Sequence, residues 1–469
     1  MYAVRPALLA FAATSALALA GCNVGPKYSR PQTPVTPTFR GADNAEVSSD
    51  PTTSIADRKW SEVFREPELQ TLISTALANN YDLRVAADRI LEQQQQVRIT
   101  HSQEFPQITG GGQGIGADLP ANSGINIASP LSFGSFSLMA AWTPDFWGIY
   151  RKQTQQQRDI LLAQVWAQRA VRLSLVQQVA TTYFQLRTLD DQLAISQRTL
   201  KVRQDSLKLT QTLESGGAAP LSDVRQAEQL LYTASSEIPQ LEQQIQQNEN
   251  SMRLLLGQAP GSVAHTDPDA LAPAPTDLPT GLPSQLLERR PDVQQAEAQL
   301  MAANAAVGVA RAQFFPQLTI SASAGLGGND WSNLFDPSGK TIYGIGTLAQ
   351  PIFEGGKISG QYELSKRQKD ELVHTYQRTI LTALRDVSNA LVAVNKQRAA
   401  RVEQQKLVAS AQDATRLARI RYQGGATSYL EVLTTDTNLF NAQLNLVNAQ
   451  QSEAVTLVQL YSALGGGWQ

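Results

Sequence analysis

The chain has 469 residues, a formal net charge of -2, 42% hydrophobic residues and one cysteine. The length suits two or three ordinary domains. The near-zero charge leaves no electrostatic footprint for a nucleic acid, and a lone cysteine excludes an intrachain disulfide or a thiolate metal cluster.

Arg5 precedes an apolar run from Ala7 to Ala20, the pattern of a secretory signal over residues 1–21. After it, no apolar run reaches the roughly 18 residues of a membrane-crossing helix, so contact with a bilayer must come from strands or a lipid. The run closes on Leu19-Ala20-Gly21-Cys22, which resembles a bacterial lipoprotein box. That resemblance implies that Cys22 carries an N-acyl group and an S-diacylglycerol and begins the mature chain. A single acyl chain binds membranes weakly, so several are needed for an anchor. Asn23 stands where an aspartate would favour retention at the inner membrane, so the outer membrane is expected. Residues 22–60 carry Pro26, Pro31, Pro34, Pro37 and Pro51 and read as an extended tether.

Glu66-Pro67-Glu68-Leu69 has the proline and acids of a helix start, and residues 69–104 read as helical with an interruption near Asn79-Asn80. Phe105-Pro106 ends that segment, because proline disfavours helical geometry in the residue before it. The glycine-rich stretch 107–117 fits strand or loop. At about 133–143 Phe136, Leu138, Ala140 and Trp142 share one face of a strand, and Pro144 stops it.

From Tyr150 to Glu214 there is no proline, and Val179, Leu186, Leu193, Leu200 and Leu207 recur every seven residues. Such a register marks a helix packed along its length on another, here reaching roughly 100 Å. A plain coiled-coil rod gives the same pattern. The helix ends at Gly216-Gly217. Pro220 opens a return helix to Leu256-Gly257, in which Pro239 predicts a kink or a break. Residues 258–283, rich in Pro, Ala and Asp, read as a linker.

The pattern then starts again. Pro291-Asp292-Val293 repeats Tyr81-Asp82-Leu83, and Phe315-Pro316-Gln317 repeats Phe105-Pro106-Gln107, both 210 residues on. Gly424-Gly425 repeats Gly216-Gly217, and Leu464-Gly465 repeats Leu256-Gly257, both 208 residues on. Near-constant offsets indicate a duplication, with one unit over 61–257, a second over 284–465 and a short tail at 466–469. Each unit reads helix, strand, strand, very long helix, tight turn, helix. In the second, strands are expected near 317–327 and 341–350. Leu318, Ile320, Ala322, Ala324 and Leu326 alternate there with Thr319, Ser321, Ser323 and Gly325. Strands of about 10 residues with one apolar face suit a membrane β-barrel, although a half-buried soluble hairpin has the same alternation. Four strands cannot close a barrel and lipid tolerates no open edge, so several copies must share one wall.

On these motifs the chain resembles the TolC-type outer-membrane efflux proteins, in the OprM/NodT lipoprotein branch. The carrying residues are Cys22-Asn23-Val24-Gly25-Pro26-Lys27-Tyr28, the two Phe-Pro-Gln corners and Pro351-Ile352-Phe353-Glu354-Gly355-Gly356. Glu249-Asn250 with Leu254-Leu255-Leu256-Gly257 adds to them, as does Arg421-Tyr422-Gln423-Gly424-Gly425 running into Tyr429-Leu430-Glu431-Val432-Leu433. The resemblance implies a mainly α fold with a β-barrel: a homotrimer whose twelve-stranded membrane barrel continues into a long α-helical periplasmic barrel. It also implies a periplasmic adaptor and an inner-membrane pump of the resistance-nodulation-division type as partners. The tunnel is then gated where the helix pairs turn, with Tyr422, Leu430 and Glu431 as gate residues and Gly216, Gly217, Gly424 and Gly425 as adaptor-docking turns. By residue type Leu430 suits an apolar ring, and Glu431 an acidic ring that attracts cations. Helix packing and a solvated acid are the plain readings of the same residues. Thr434 and Thr437 depart from the family pattern, which often has an acid and a base there.

Chemistry of other kinds is thin. His101, His265 and His374 are scattered, and Gly339-Lys340-Thr341 has Leu334 where a phosphate-binding loop needs glycine. No enzyme, cofactor or metal site is indicated. The expected function is a passive outer-membrane exit duct for drugs or other small toxic compounds. The alternatives are a type I protein-secretion duct and a coiled-coil lipoprotein tether without a pore.

Overall fold

The structure, a computed structural model, describes residues 24–33, 38–40, 54–117, 131–264, 283–328, 333 and 335–468. Cys22, the signal segment and most of the linker, with His265, lie outside the described residues. In chain order the helices and strands are α1 Trp60–Val63, α2 Pro67–Asn79, α3 Tyr81–Ser102, β1 Gln107–Ala117, β2 Leu131–Trp142, α4 Ile149–Ser215 and α5 Leu221–Leu255. The second half follows as α6 Leu286–Arg289, α7 Pro291–Ala312, β3 Gln317–Gly328, β4 Lys340–Ala349, α8 Lys357–Gln423 and α9 Tyr429–Ala463. The duplication is visible in the lengths: α4 and α8 have 67 residues each, α5 and α9 have 35 each. The chain divides into two compact units, one of 1–32, 89–165 and 295–376, the other of 33–88, 166–294 and 377–469.

The first unit holds the strands, in one antiparallel sheet of order β1-β2-β3-β4. The stretch that read as strand or loop is β1, and β2 starts two residues before its expected boundary. The register sorts side chains by character. Gly110, Leu138, Ala324 and Ile342 lie on one rung, and Ile108, Ala140, Ala322 and Gly344 on another of the same face. The opposite face carries Thr109, Met139, Ser323 and Tyr343, then Gly111, Ser137, Gly325 and Thr341. Large apolar side chains such as Leu138 and Ile342 stand exposed on the first face. No other strand of the described residues pairs with the outer edges of β1 and β4. No described helix is long and apolar enough to cross a membrane.

Indoles brace both corners where helix turns into strand. Trp142 Nε1 donates to the Glu104 carbonyl at 3.1 Å, and Trp147 Nε1 to the Pro316 carbonyl at 2.6 Å, with the Trp147 ring stacked on Phe315. In the second repeat Gln350 takes the place of Trp142, donating to the Phe314 carbonyl at 3.1 Å.

The second unit is helical, and its core gathers Leu69, Ile73, Val179, Tyr183, Met252, Val387, Leu391, Leu460 and Tyr461. The two repeats close in matching ways. Asn80 Nδ2 donates to the Leu255 carbonyl and Arg290 Nη1 to the Ala463 carbonyl, both at 3.0 Å. Asn80 also caps α3, its Oδ1 accepting from the Asp82 and Leu83 amides, which accounts for the interruption between α2 and α3. The glycines that follow, Gly257 and Gly465, have φ of +68° and +83° and lie against the backbone of Asn79 and Arg289.

Four features alter the sequence reading or add to it. Pro239 breaks nothing: α5 runs through it. The end of the expected tether is packed, with Ile55 and Ala56 buried in a short helical turn. The C-terminal tail is docked, Trp468 Nε1 donating to the Arg289 carbonyl at 3.1 Å. The heptad stripe is the fourth. Val179 and Leu186 are fully buried, yet Leu193, Leu200 and Leu207 are only half-buried. The buried column further along α4 is Ser196, Arg203 and Thr210, three positions round the helix. A polar column is stable there because its one charge, on Arg203, is paired with Asp436.

Candidate channel gate

α4 and α8 end in the same turn. The Ala218 amide donates to the Leu213 carbonyl at 2.7 Å and the Gly217 amide to Glu214 at 2.8 Å; the Ala426 amide donates to Arg421 at 2.8 Å and the Gly425 amide to Tyr422 at 3.0 Å. This is the Schellman pattern, which needs a left-handed residue after the helix. Gly217 and Gly425 supply it, at φ +74° and +71°. Gly216 and Gly424 have ordinary φ, so only one glycine of each pair is demanded by the backbone. Both turns are exposed.

Tyr422 packs its ring edge-on against Tyr429, centroids 5.3 Å apart. Tyr429 is buried among Ala227, Ala418 and Val432, and its hydroxyl lies 3.1 Å from Ser206 Oγ on α4. The Tyr422 hydroxyl is buried without a hydrogen bond of good geometry. Burial, then the charge of Asp223 on α5, raises its pKa above the usual phenol value. Leu430 is 58% exposed. Glu431 is half-buried and paired: Arg421 Nη1 donates to Oε1 at 2.7 Å, and the Thr427 hydroxyl donates to Oε2. The acid therefore fastens the turn to α8 and meets a cation inside its own chain. Among the described residues, Thr434 and Thr437 bond the carbonyls of Leu430 and Leu433 one turn back.

The ion network missing from those threonines lies at Asp436, two residues beyond Thr434. Arg203 Nε on α4 donates to Asp436 Oδ2 at 2.9 Å, and Arg419 Nη2 on α8 to Oδ1 at 2.7 Å. Arg203 Nη1 donates to the Leu230 carbonyl on α5 at 2.9 Å, and its guanidinium lies over Phe440. One carboxylate and the arginines on it thus link four helices, α4, α5, α8 and α9. Arg203 is 3% exposed and Asp436 6%. Further along, Glu453 of α9 takes Arg401 at 2.5 Å and Arg398 at 3.2 Å from α8.

Of the residues read from the sequence, Tyr422 and Glu431 sit together at the α8–α9 turn with Gly424 and Gly425, and Leu430 projects outward from the same turn. Gly216 and Gly217 form the matching α4–α5 turn. Arg203, Arg419 and Asp436 were missed. The available signal was the spacing of seven through Ser196, Arg203 and Thr210, which looks like a solvated column until a buried acid is known to face it.

A family model described as outer membrane efflux protein matches residues 72–258 and 282–466. The probable efflux pump outer membrane protein TtgC of Pseudomonas putida is 35% identical over 472 residues, covering 97% of this chain and 95% of the relative. The cation efflux system protein CusC of Escherichia coli is 34% identical over 458 residues, covering 97% of each. Among solved structures, the open state of the Neisseria gonorrhoeae MtrE outer membrane channel superposes with a TM-score of 0.85 at 27% identity, covering 96% of this chain and 99% of that one.

Proposed function

The chain belongs to the outer membrane efflux protein family and is the outer-membrane channel of an efflux system; we propose that three copies close one wall, each giving four strands to a twelve-stranded barrel and its long helices to a tunnel. The observation that carries this is the sheet: one apolar face, one mixed face that carries most of its serine and threonine, and two outer edges with no strand of the described residues beside them. In lipid every such edge must be paired, and β4 of one copy beside β1 of the next does so without new structure. The helices are incomplete in the same sense, with Leu381, Leu407, Leu417 and Ile420 of α8 exposed.

The duct is passive and carries small toxic compounds outward. Its work comes from an inner-membrane pump of the resistance-nodulation-division type through a periplasmic adaptor that grips the turns at Gly216-Gly217 and Gly424-Gly425. Cys22 carries the acyl groups that anchor the chain at the outer membrane. Three copies of Leu430 form the narrowest ring of the closed tunnel, held by Tyr422 and Glu431. No catalytic step is assigned to the chain.

The test is electrical and electrophoretic. The extracted protein should run as a heat-sensitive trimer and conduct in a planar bilayer, with conductance rising in Leu430→Ala. A monomer, or a particle that stays silent with its turns cut away, sinks the proposal. Bulky residues at Gly217 and Gly425 should abolish efflux while the trimer still assembles; unchanged drug resistance in those variants argues against adaptor docking there.

A further inference from the structure

The motif after Cys22 has no part in the gate, yet it is held in place side chain by side chain. Residues 25–30 pass along α7. A Cβ added at Gly308 would lie 3.3 Å from the Gly25 Cα. Asn304 Nδ2 donates to the Pro26 carbonyl at 3.0 Å. Glu297, 7% exposed, accepts from Arg30 Nε at 2.7 Å, Arg30 Nη2 at 2.5 Å and the Tyr28 hydroxyl at 3.2 Å. Positions 297, 304 and 308 share one face of a helix.

The spans agree. Eleven helical residues from Glu297 to Gly308 rise about 17 Å, and five extended residues from Arg30 to Gly25 cover about 17 Å. The segment therefore lies taut and antiparallel to α7, climbing toward the end from which β3 departs. Gly308 in the middle of a helix costs stability by itself; the close approach of Gly25 gives it a reason. Glu297 has no other role in the fold described so far. A buried carboxylate taking a forked guanidinium is a strong, geometrically specific clasp.

We propose that this face of α7 is a docking site for the amino-terminal segment, with Glu297 as the positioning residue that sets where the lipid anchor meets the barrel. Gly25 lies three positions after Cys22, at most about 10 Å of chain. A clasped segment thus holds the acyl chains near the level of Gln317, where the membrane strands start, and the anchor and the barrel enter the bilayer in step. The inference rests on Cys22 being the acylated residue.

The test uses the mature full-length protein extracted from outer membranes. Trypsin cuts after Lys27 but not between Arg30 and Pro31, so release of the peptide ending at Lys27 reports undocking, and its mass reports acylation. Glu297→Ala and Arg30→Glu should each release it at least about tenfold faster, as loss of charge-assisted hydrogen bonds implies. Glu297→Gln and Tyr28→Phe, which preserve shape, should fall between. The exchanged pair Arg30→Glu with Glu297→Arg should move back toward the wild-type rate. In Glu297→Ala the share of chain inserted in outer membranes should fall several-fold, and the exchanged pair should recover it. Wild-type release rates in Glu297→Ala and Arg30→Glu overturn the docking site. Faster release with unchanged insertion overturns its positioning role. A released peptide lacking acyl mass removes the Cys22 reading while leaving the clasp to stand on its rates.

Discussion

Asp436 joins arginines from two different helices, Arg203 of α4 and Arg419 of α8. Removing one partner of a buried ion pair leaves the other charge desolvated, which typically costs about 3–5 kcal/mol. Asp436→Ala should therefore lower the unfolding free energy by that amount in urea melts. The double change Asp436→Ala with Arg203→Met should recover most of it, because the stranded charge goes as well. The glycine turns make a finer contrast. Alanine at Gly217 or Gly425 must adopt the left-handed region, at about 1–2 kcal/mol each. At Gly216 and Gly424 its Cβ has room and an ordinary φ, so the same change should shift thermal unfolding little. The motif pointed to both glycines of each pair; which one bears the positive φ depends on where the helix stops, and that is set by the hydrogen bonds of the turn.

Among the elements, the long helices were readable almost to the residue, because proline, paired glycines and an unbroken period of seven mark their ends. The face they bury was less readable. Along α4 the buried side passes from Val179 and Leu186 to Ser196, Arg203 and Thr210. That change reflects a partner on α9, 233 positions away in the chain, which local periodicity cannot contain. The strands were harder to bound because glycine weakens their alternation, yet once paired they sort into two faces. Leu138→Arg, on the apolar face, should block membrane assembly, at about 2–4 kcal/mol for a charge at mid-bilayer. Ser137→Arg, one residue away on the opposite face, should assemble and shift ion selectivity toward anions, measured as a reversal potential in a salt gradient.

At the scale of the whole molecule the duplication and the need for several copies were both legible, since repeat offsets and strand counts survive in a single sequence. The N-terminal clasp was not, because Tyr28 and Arg30 meet Glu297 across 269 and 267 residues of chain. If four strands per chain share one closed wall, cysteines placed on β1 and β4 should cross-link between neighbouring copies, giving a ladder that ends at three chains on denaturing gels. A ladder ending at two chains would leave only eight strands in the wall.

The indole braces bear on how such a chain is free to evolve. Trp142 ends β2 and Trp147 lies in the short passage to α4, and between them they secure one corner of each repeat. The corresponding passage at Pro351–Gly356 carries no indole, and it leaves Ile352 95% exposed and Phe353 88% exposed. The halves have thus ceased to be interchangeable. Six copies of the first half would still offer each Trp147 a proline carbonyl, at Pro106, the counterpart of Pro316, whereas six of the second would lack that brace altogether. A wall built of second halves alone would have neither indole at its corners, so the two halves are held to different roles at the foot of the sheet.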